Sequence, residues 1–252
     1  MRHRHDSLWL IDERDRSGKH ENIYHGNFVP QIPNQLIRRY TKKSETVFEP
    51  FMGGGTTLFE CENLGRKYIG FDINPKIVDY VHRRMTGDLY LNEFFIKECN
   101  SLDAEQVYSN IEIALEKMSA ESVQFVLMHP PYLDIVKFTD NENDLSRIGN
   151  LKDFIVKFRT VCENSLKRLD KYRYFAVVVG DVYKNGEVLP LAFYCMDMIK
   201  RSFAVKLKGI IIKNIKGNRG KIGQDNIWKY WALNSDYFIF KHEYIFVFKK
   251  EF

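Results

Sequence analysis

Residues 47–57 decide the fold of this chain, and they read Val47-Phe48-Glu49-Pro50-Phe51-Met52-Gly53-Gly54-Gly55-Thr56-Thr57. A short apolar run enters a glycine-rich bend and a helical pattern follows, which predicts a strand, a tight loop and a helix. Glycine has no Cβ, so the loop can turn sharply and approach a ligand closely. Its N–H groups and the helix start can face an anionic or polar partner, while Glu49 can meet a cation. The segment suits a cofactor that offers an ammonium, a carboxylate and a ribose.

Two common glycine motifs do not fit this loop. A P-loop ends in Gly-Lys-Ser/Thr, but here Gly55 is followed by Thr56 and Thr57. A dinucleotide fingerprint requires a glycine at position 58, where the chain has Leu58. A purely structural turn remains the alternative to a cofactor loop.

A second signal is the acid at the end of the next apolar segment. Residues 67–72 predict a strand, and Asp72 follows Gly53 by 19 residues. That spacing is close to the one at which an α/β nucleotide site places its ribose-binding carboxylate. Alternatively, Asp72 caps the helix that begins at Asn74-Pro75, and the two roles are compatible.

The third signal is the segment 123–132, a buried-type strand that ends in His129-Pro130-Pro131-Tyr132. At this point the chain resembles the S-adenosylmethionine-dependent amino-methyltransferases of DNA. Their cofactor loop, acid-Pro-Phe-x-Gly-x-Gly-Thr-Thr, matches residues 49–57. Their catalytic tetrapeptide, Asp/Asn/Ser-Pro-Pro-Tyr/Phe, matches residues 129–132 except at the first position, where this chain has histidine. Residues 24–33 and 242–248 resemble the family's segment before the cofactor loop and its terminal strand.

The resemblance implies a Rossmann-like α/β fold: a mostly parallel, seven-stranded sheet with a C-terminal antiparallel hairpin and helices on both faces. It implies one methyltransferase domain over residues 1–252, with 1–24 as an N-terminal extension, and S-adenosylmethionine as the cofactor. Where the family often has an acid that binds the adenine amine, this chain has an asparagine. The cofactor contacts that the resemblance implies are Phe28, Pro30, Glu49, Pro50, Phe51, Gly53, Gly55, Thr56, Thr57, Asp72 and Asn100.

The resemblance also implies the catalytic residues, which are His129, Pro130, Pro131 and Tyr132. An exocyclic amine of adenine or cytosine is a poor nucleophile, so acceptors must hold its protons while it attacks the sulfonium methyl. The Pro130 carbonyl is free because Pro131 has no N–H, His129 supplies a second acceptor, and Tyr132 can stack on a flipped base. If His129 has an ordinary pKa of about 6.5, its imidazole becomes protonated as the pH falls through that value, and methyl transfer would be lost. General resemblance favours adenine N6 over cytosine N4.

The pattern along the chain independently predicts a doubly wound parallel sheet, because strand and helix signals alternate. Residues 133–150 are polar and aperiodic, which is typical of a substrate lid beside a catalytic motif. Strands are predicted at 45–51, 67–72, 94–99, 123–128, 174–179, 205–213 and 243–249, and helices at 35–41, 56–64, 75–85, 102–118, 147–169 and 190–201.

Charge is unevenly distributed. The net charge is +5, and residues 196–252 hold 12 Lys/Arg against 5 Asp/Glu, which suits a polyanion or a solvated lysine-rich surface. Within the predicted loop 214–241, basic residues interleave with aromatics and predict phosphate and base contacts, although packing on the core is equally compatible. The candidate nucleic-acid contacts are Lys216, Arg219, Lys221 and Trp228.

Other features exclude several classes of protein. No apolar run is long enough for a membrane span and no apolar signal core begins the chain, so a cytoplasmic location is expected. The four cysteines form no C-x-x-C pair, and the spacing of the histidines fits no standard metal site. We expect reduced thiols, surface histidines and no metal.

The functional hypothesis is a site-specific DNA methyltransferase, with DNA as its partner and either a homodimer or a separate specificity or restriction subunit as further options. An RNA methyltransferase is one alternative. Another is a non-catalytic cofactor-binding subunit in which His129 marks lost chemistry. A nicotinamide dehydrogenase is a remote fourth.

Overall fold

The computed structural model describes residues 4–21, 26–86, 90, 92–216 and 238–252. Within them the sheets are built from ten strands. These are β1 (Leu8–Trp9), β2 (Thr46–Glu49), β3 (Lys67–Asp72), β4 (Phe94–Glu98), β5 (Val123–Met128), β6 (Leu169–Val179), β7 (Val182–Lys184), β8 (Glu187–Leu189), β9 (Val205–Asn214) and β10 (His242–Lys250). The helices are α1 (Gln31–Tyr40), α2 (Thr56–Leu64), α3 (Pro75–Met85), α4 (Ala104–Lys117), α5 (Leu151–Leu166) and α6 (Leu191–Ser202), with a 3₁₀ turn at Leu145–Arg147.

The main sheet has eight strands in the order β1-β9-β10-β6-β5-β2-β3-β4. Strands β6, β5, β2, β3 and β4 are parallel neighbours, and β10 is antiparallel to both β6 and β9. The α/β class, the parallel core and the C-terminal antiparallel hairpin are therefore confirmed. The seven-strand count is wrong by one, because the two-residue β1 pairs in parallel with β9 at the sheet edge.

Alternate residues along each central strand enter opposite core layers, as the period of two in a strand requires. In β2, Val47 packs in the layer with α1, α2 and α3, whereas Phe48 packs in the layer with α4, α5 and α6. In β5, Leu127 and Met128 divide in the same way. Burial on both faces explains why these strands read as continuous apolar runs.

Helix ends follow local chemistry. The side chain of Asn74 accepts a hydrogen bond from the N–H of Lys76 at the start of α3, and Asp103 and Asn150 begin α4 and α5 by the same contact. α2 begins after Gly55 and ends at Gly65, and both glycines are left-handed.

Strands β7 and β8 form a separate hairpin that the sequence reading missed. Asn185 and Gly186 both have positive φ at its tip, as a two-residue hairpin turn of the I′ type requires. The Asn-Gly pair was therefore the available signal.

The topology places the carboxyl ends of β2, β3, β4, β5 and β6 on one edge of the sheet. The strand order reverses between β2 and β5, and ligands of open α/β sheets bind at such a switch point. Since β10 runs the other way, its first residues lie on the same edge, next to the end of β9.

Candidate active site

A cavity of about 1250 Å³ opens at this edge. Ligand pockets are typically about 300–1,000 Å³, so it has room for more than one drug-sized molecule. The glycine loop and the His-Pro-Pro-Tyr turn line the same cavity, which is the geometry that the sequence hypothesis required. The predicted residues in its wall are Phe28, Glu49, Pro50, Phe51, Gly53, Thr56, Asp72, Asn100, His129, Pro130, Pro131 and Tyr132.

The glycine loop depends on backbone conformations that other residues rarely adopt. Gly53 has φ 52° and Gly55 has φ 80°. A Cβ at Gly55 would lie 3.0 Å from Cγ1 of Val81 and 3.2 Å from Cζ of Phe59. Gly55 is therefore constrained both by its backbone conformation and by close packing, because the start of α2 lies directly against α3.

Glu49 is buried at the end of β2, and its carboxyl group is held from two sides. The Thr57 hydroxyl donates to Oε1 at 2.8 Å, and the Tyr68 hydroxyl donates to Oε2 at 2.6 Å. Burial raises the pKa of Glu49 to about 8, although both donors act in the opposite direction. Without a ligand the group is therefore largely protonated at neutral pH, and a cation in the cavity would favour its ionised form.

This raised pKa predicts a pH-dependent stability in the ligand-free protein. The folded-state pKa lies above the unfolded value, so the stabilisation is present at low pH and is lost as the pH rises through about 8. Between pH 6.5 and 9, we expect the melting temperature of the wild type to fall by roughly 5 °C more than that of Glu49→Gln. Thermal denaturation across this range measures the difference. Glu251→Gln, which removes the half-buried partner of Lys206, is the control. Parallel profiles for the wild type and Glu49→Gln would contradict the prediction.

Asp72 clamps two loops at the end of β3. Its Oδ2 accepts from the N–H of Gly53 at 2.8 Å, and its Oδ1 accepts from the N–H of Asn74 at 2.9 Å. Burial raises its pKa to about 6 despite these bonds. Because Asn74 caps α3, the alternative that Asp72 is the helix cap is wrong. A carboxylate has about four lone-pair sites, so Asp72 can still accept from two hydroxyls of a ligand.

Asn100 lies at the end of β4. Its Oδ1 accepts from the N–H of Leu102 at 3.0 Å, so the amide oxygen already takes part in a local turn. The neighbouring Ser101 hydroxyl donates to the carbonyl of Pro50 at 2.9 Å. This bond ties the ends of β4 and β2 together below the cavity.

Three residues predicted to contact the cofactor do not line the cavity. Pro30 is buried at the start of α1, Gly55 precedes α2, and the side chain of Thr57 points to Glu49. Gly55 and Thr57 lie behind the wall because the glycine loop turns so tightly that only some of its residues face the cavity, and Pro30 lies behind it at the start of α1.

The His-Pro-Pro-Tyr turn is closed by a hydrogen bond between its own ends. Nε2 of His129 lies 3.0 Å from the Tyr132 hydroxyl, and the His129 ring packs on Phe28 with centroids 4.9 Å apart. A Cβ at Gly180, the residue after β6, would lie 3.1 Å from the Tyr132 ring, so a side chain there would require the ring to shift. Among the described residues no group donates a hydrogen bond to the Pro130 carbonyl.

The predicted loss of activity near pH 6.5 is not supported by the environment of His129. Burial lowers the pKa of His129 to about 4, with Lys213 acting in the same direction and Glu243 opposing it. The imidazole therefore stays neutral, with one accepting nitrogen, well below pH 6.5. Its solvent exposure could not be known from the sequence.

Two site residues were missed by the sequence reading. Glu243 and Lys213 are both buried, line the cavity and form an ion pair of 3.1 Å. The Tyr132 hydroxyl donates to Oε2 of Glu243 at 3.3 Å. The available signal was a charged residue within each of two apolar strands, since such residues are rarely buried unless paired.

The N-terminal segment forms one wall of the cavity through residues 12–16. The Asn214 side chain anchors it, since its Oδ1 accepts from the N–H of Ile11 at 2.7 Å. Arg14 donates to the carbonyl of Phe28 at 2.8 Å. The segment therefore belongs to the site.

The expectation of surface histidines is wrong for His20. His20 is buried, and its Nε2 lies 2.6 Å from Oε1 of Glu60, whose Oε2 accepts from Asn34 at 2.6 Å. His5 is exposed, whereas His3 and His25 lie outside the described residues. The four cysteines are free and all of them are buried.

The candidate lid, residues 133–150, is more ordered than its composition suggested. Asp144 accepts from the backbone and hydroxyl of Thr139 and from the backbone of Ser146. Lys184 of β7 pairs with Asp134 at 2.5 Å and ties the loop to the hairpin.

The candidate nucleic-acid contacts fall mostly outside the described residues, as do most residues of the loop 214–241. Arg219, Lys221 and Trp228 are among them. Lys216 is described, and it is exposed at the cavity mouth and paired with Asp12.

Two further features concern the described part of the chain. No group of three or more His, Cys, Asp or Glu side chains there could hold a metal ion. None of the helices described is long and apolar enough to cross a bilayer.

Comparison with known sequences matches residues 2–83 to a DNA methylase family model. That match includes the glycine loop and Asp72 but ends before the His-Pro-Pro-Tyr turn. The type II methyltransferase M.MjaII of Methanocaldococcus jannaschii is 37% identical over 68 residues, covering 26% of this chain and 13% of the relative. M.BglI of Bacillus subtilis is 27% identical over 120 residues, covering 48% and 31%. The matches to these relatives thus span less than a third of their length.

Solved structures share the fold at low identity. A geranyl diphosphate methyltransferase, solved with GPP and sinefungin, has a TM-score of 0.52 and 9% identity, covering 88% of this chain and 78% of its own. A Clostridium thermocellum protein proposed to be an rRNA methylase has a TM-score of 0.51 and 12% identity, covering 87% and 96%. The Rossmann-like methyltransferase fold predicted from the sequence is therefore confirmed.

Proposed function

We propose that this chain, whose residues 2–83 match a DNA methylase family model, belongs to that family and transfers a methyl group from S-adenosylmethionine to an exocyclic amine of a DNA base. The observation that carries the proposal is the shared cavity. A donor held at the glycine loop and a base held at the His-Pro-Pro-Tyr turn would meet in one cavity.

The cofactor fits the groups on the side of the cavity that the glycine loop and Asp72 form. Asp72 could accept hydrogen bonds from the ribose hydroxyls, and the Glu49 carboxyl could pair with the ammonium. Phe51 and Asn100 also line the cavity, where they would offer an apolar ring and a polar amide to the adenine. S-adenosylmethionine supplies an electrophilic methyl on a sulfonium, and the protein supplies position.

The base fits the side of the cavity that the His-Pro-Pro-Tyr turn forms. The Pro130 carbonyl and the neutral His129 ring are two acceptors for the amine protons, which keep the nitrogen lone pair available for attack. Tyr132 offers a ring for stacking, as enzymes that flip a base out of the duplex commonly do. We favour adenine N6 over cytosine N4.

The charge of the C-terminal part, residues 196–252, supports a nucleic-acid substrate, since each neutralised phosphate releases counterions. A single methyltransferase domain with 214–241 as its contact loop is part of the proposal. A separate specificity subunit or a homodimer would supply further recognition.

The unusual first residue of the turn favours one second candidate. If His129 marks lost chemistry, the chain is a cofactor-binding subunit whose partner supplies turnover. The family match that ends before His129 leaves room for this reading.

The test is transfer of labelled methyl from S-adenosylmethionine to duplex DNA, with tRNA as the competing acceptor. We expect incorporation into DNA, sensitive to salt, and its loss in Tyr132→Ala with cofactor binding retained. Base-resolved sequencing of DNA from expressing cells then identifies the base. Binding of cofactor with no incorporation into any DNA would reject the enzyme proposal.

A further inference from the structure

Four side chains form a continuous hydrogen-bonded chain from the sheet edge to the proposed acceptor. Lys213 pairs with Glu243 at 3.1 Å, Glu243 accepts from the Tyr132 hydroxyl at 3.3 Å, and that hydroxyl lies 3.0 Å from Nε2 of His129. We propose that Glu243 and Lys213 are positioning residues that set the tautomer of His129, placing its proton on Nε2 and its lone pair on Nδ1.

The direction of each bond follows from the chemistry at the far end. Glu243 and Lys213 lie opposite each other in the β9–β10 register and form an ion pair, and the carboxylate of an ion pair only accepts hydrogen bonds. A hydroxyl has a single proton, so Tyr132 donates it to Glu243 and must accept from His129. Nε2 therefore carries hydrogen.

A neutral imidazole has one proton to place, so Nδ1 is then the acceptor. His129 lines the cavity, and within the described residues the only hydrogen bond of its ring is the one at Nε2. The Phe28 ring at 4.9 Å holds the imidazole plane from one side. The lone pair is thus available to a ligand proton, whereas the opposite tautomer would present an N–H that repels it.

The consequence for methyl transfer rests on the proposed function, but the tautomer itself does not. The first experiment is therefore ¹⁵N NMR of the ligand-free full chain with labelled histidine, in which His129→Asn identifies the His129 signals. We expect the Nε2–H form in the wild type and a mixture in Glu243→Gln and Tyr132→Phe. Glu251→Gln, at an ion pair with Lys206 just beyond the opposite end of β10, should leave the signals unchanged.

An Nδ1–H form in the wild type, or the same tautomer in all variants, would overturn the inference. Two variants guard against misfolding, since Tyr132→Phe keeps the ring and removes only the hydroxyl. In turnover, we expect Glu243→Gln and Tyr132→Phe to lower kcat by about 10²-fold with little change in KM for the cofactor. A wild type that methylates nothing would end the proposed function and leave the NMR result standing.

Discussion

Replacing His129 with alanine is expected to lower kcat for methyl transfer by about 10³-fold, while the dissociation constant of S-adenosylmethionine stays within about twofold of the wild type. The reason is the position of the imidazole. It hydrogen-bonds to Tyr132 on the side of the cavity that we propose for the base, whereas the glycine loop and Asp72 form the other side. Single-turnover kinetics and cofactor titration separate the two quantities.

The matched variant is His129→Asn, which removes the ring but keeps an accepting oxygen at a similar distance from the backbone. We expect it to retain activity within about tenfold of the wild type, because an acceptor at this place is what the chemistry needs. Equal activity of His129→Ala and the wild type would remove His129 from the mechanism. An inactive wild type made active by His129→Asp would instead establish the cofactor-binding subunit.

The second large effect is expected at Gly55. Gly55→Ala should lower the free energy of unfolding by about 3 kcal/mol, because a left-handed alanine costs about 1 kcal/mol and overpacking against Val81 and Phe59 costs roughly 1–3 more. Since the same loop carries Gly53, which Asp72 holds, we also expect cofactor affinity to fall by about tenfold or more. Urea denaturation and cofactor titration measure the two effects.

The chain offers a control at the other end of the same helix. Gly65 also has a left-handed backbone, at φ 64°, but a Cβ there would meet nothing within 4 Å. Gly65→Ala should therefore lose only the backbone contribution, about 1 kcal/mol, and bind cofactor normally. If the two variants lose equal stability, the contacts with Val81 and Phe59 do not constrain the loop.

Much of the candidate site could be predicted from short stretches of sequence. Strand, turn and helix around Glu49 were predictable because apolar runs and glycine triplets act within a few residues. The end of β3 at Asp72 and the turn at His129 followed in the same way. The structure then brought these segments to one cavity, as parallel strands with one switch point require.

Short stretches of sequence could not predict which side chains these groups contact in the folded protein. Three features depend on residues that are far apart in the chain. They are the burial that lowers the pKa of His129, the buried ion pair of Glu243 and Lys213, and the contact between His20 and Glu60. The Asn185-Gly186 turn is the opposite case, a local signal that was present and not read.

The sequence by itself determined the alternation of strands and helices, the conformations of the glycine loop and the order in which the two motifs reach the same edge of the sheet. These depend on backbone sterics and on the period of apolar residues, which neighbouring residues decide. Only the tertiary structure decided which loop residues face the cavity, which protons the buried carboxyl and imidazole groups hold, and that β9 and β10 contribute a charged pair to the site. Burial and long-range pairing are properties of the packed chain, and no short stretch of residues contains them.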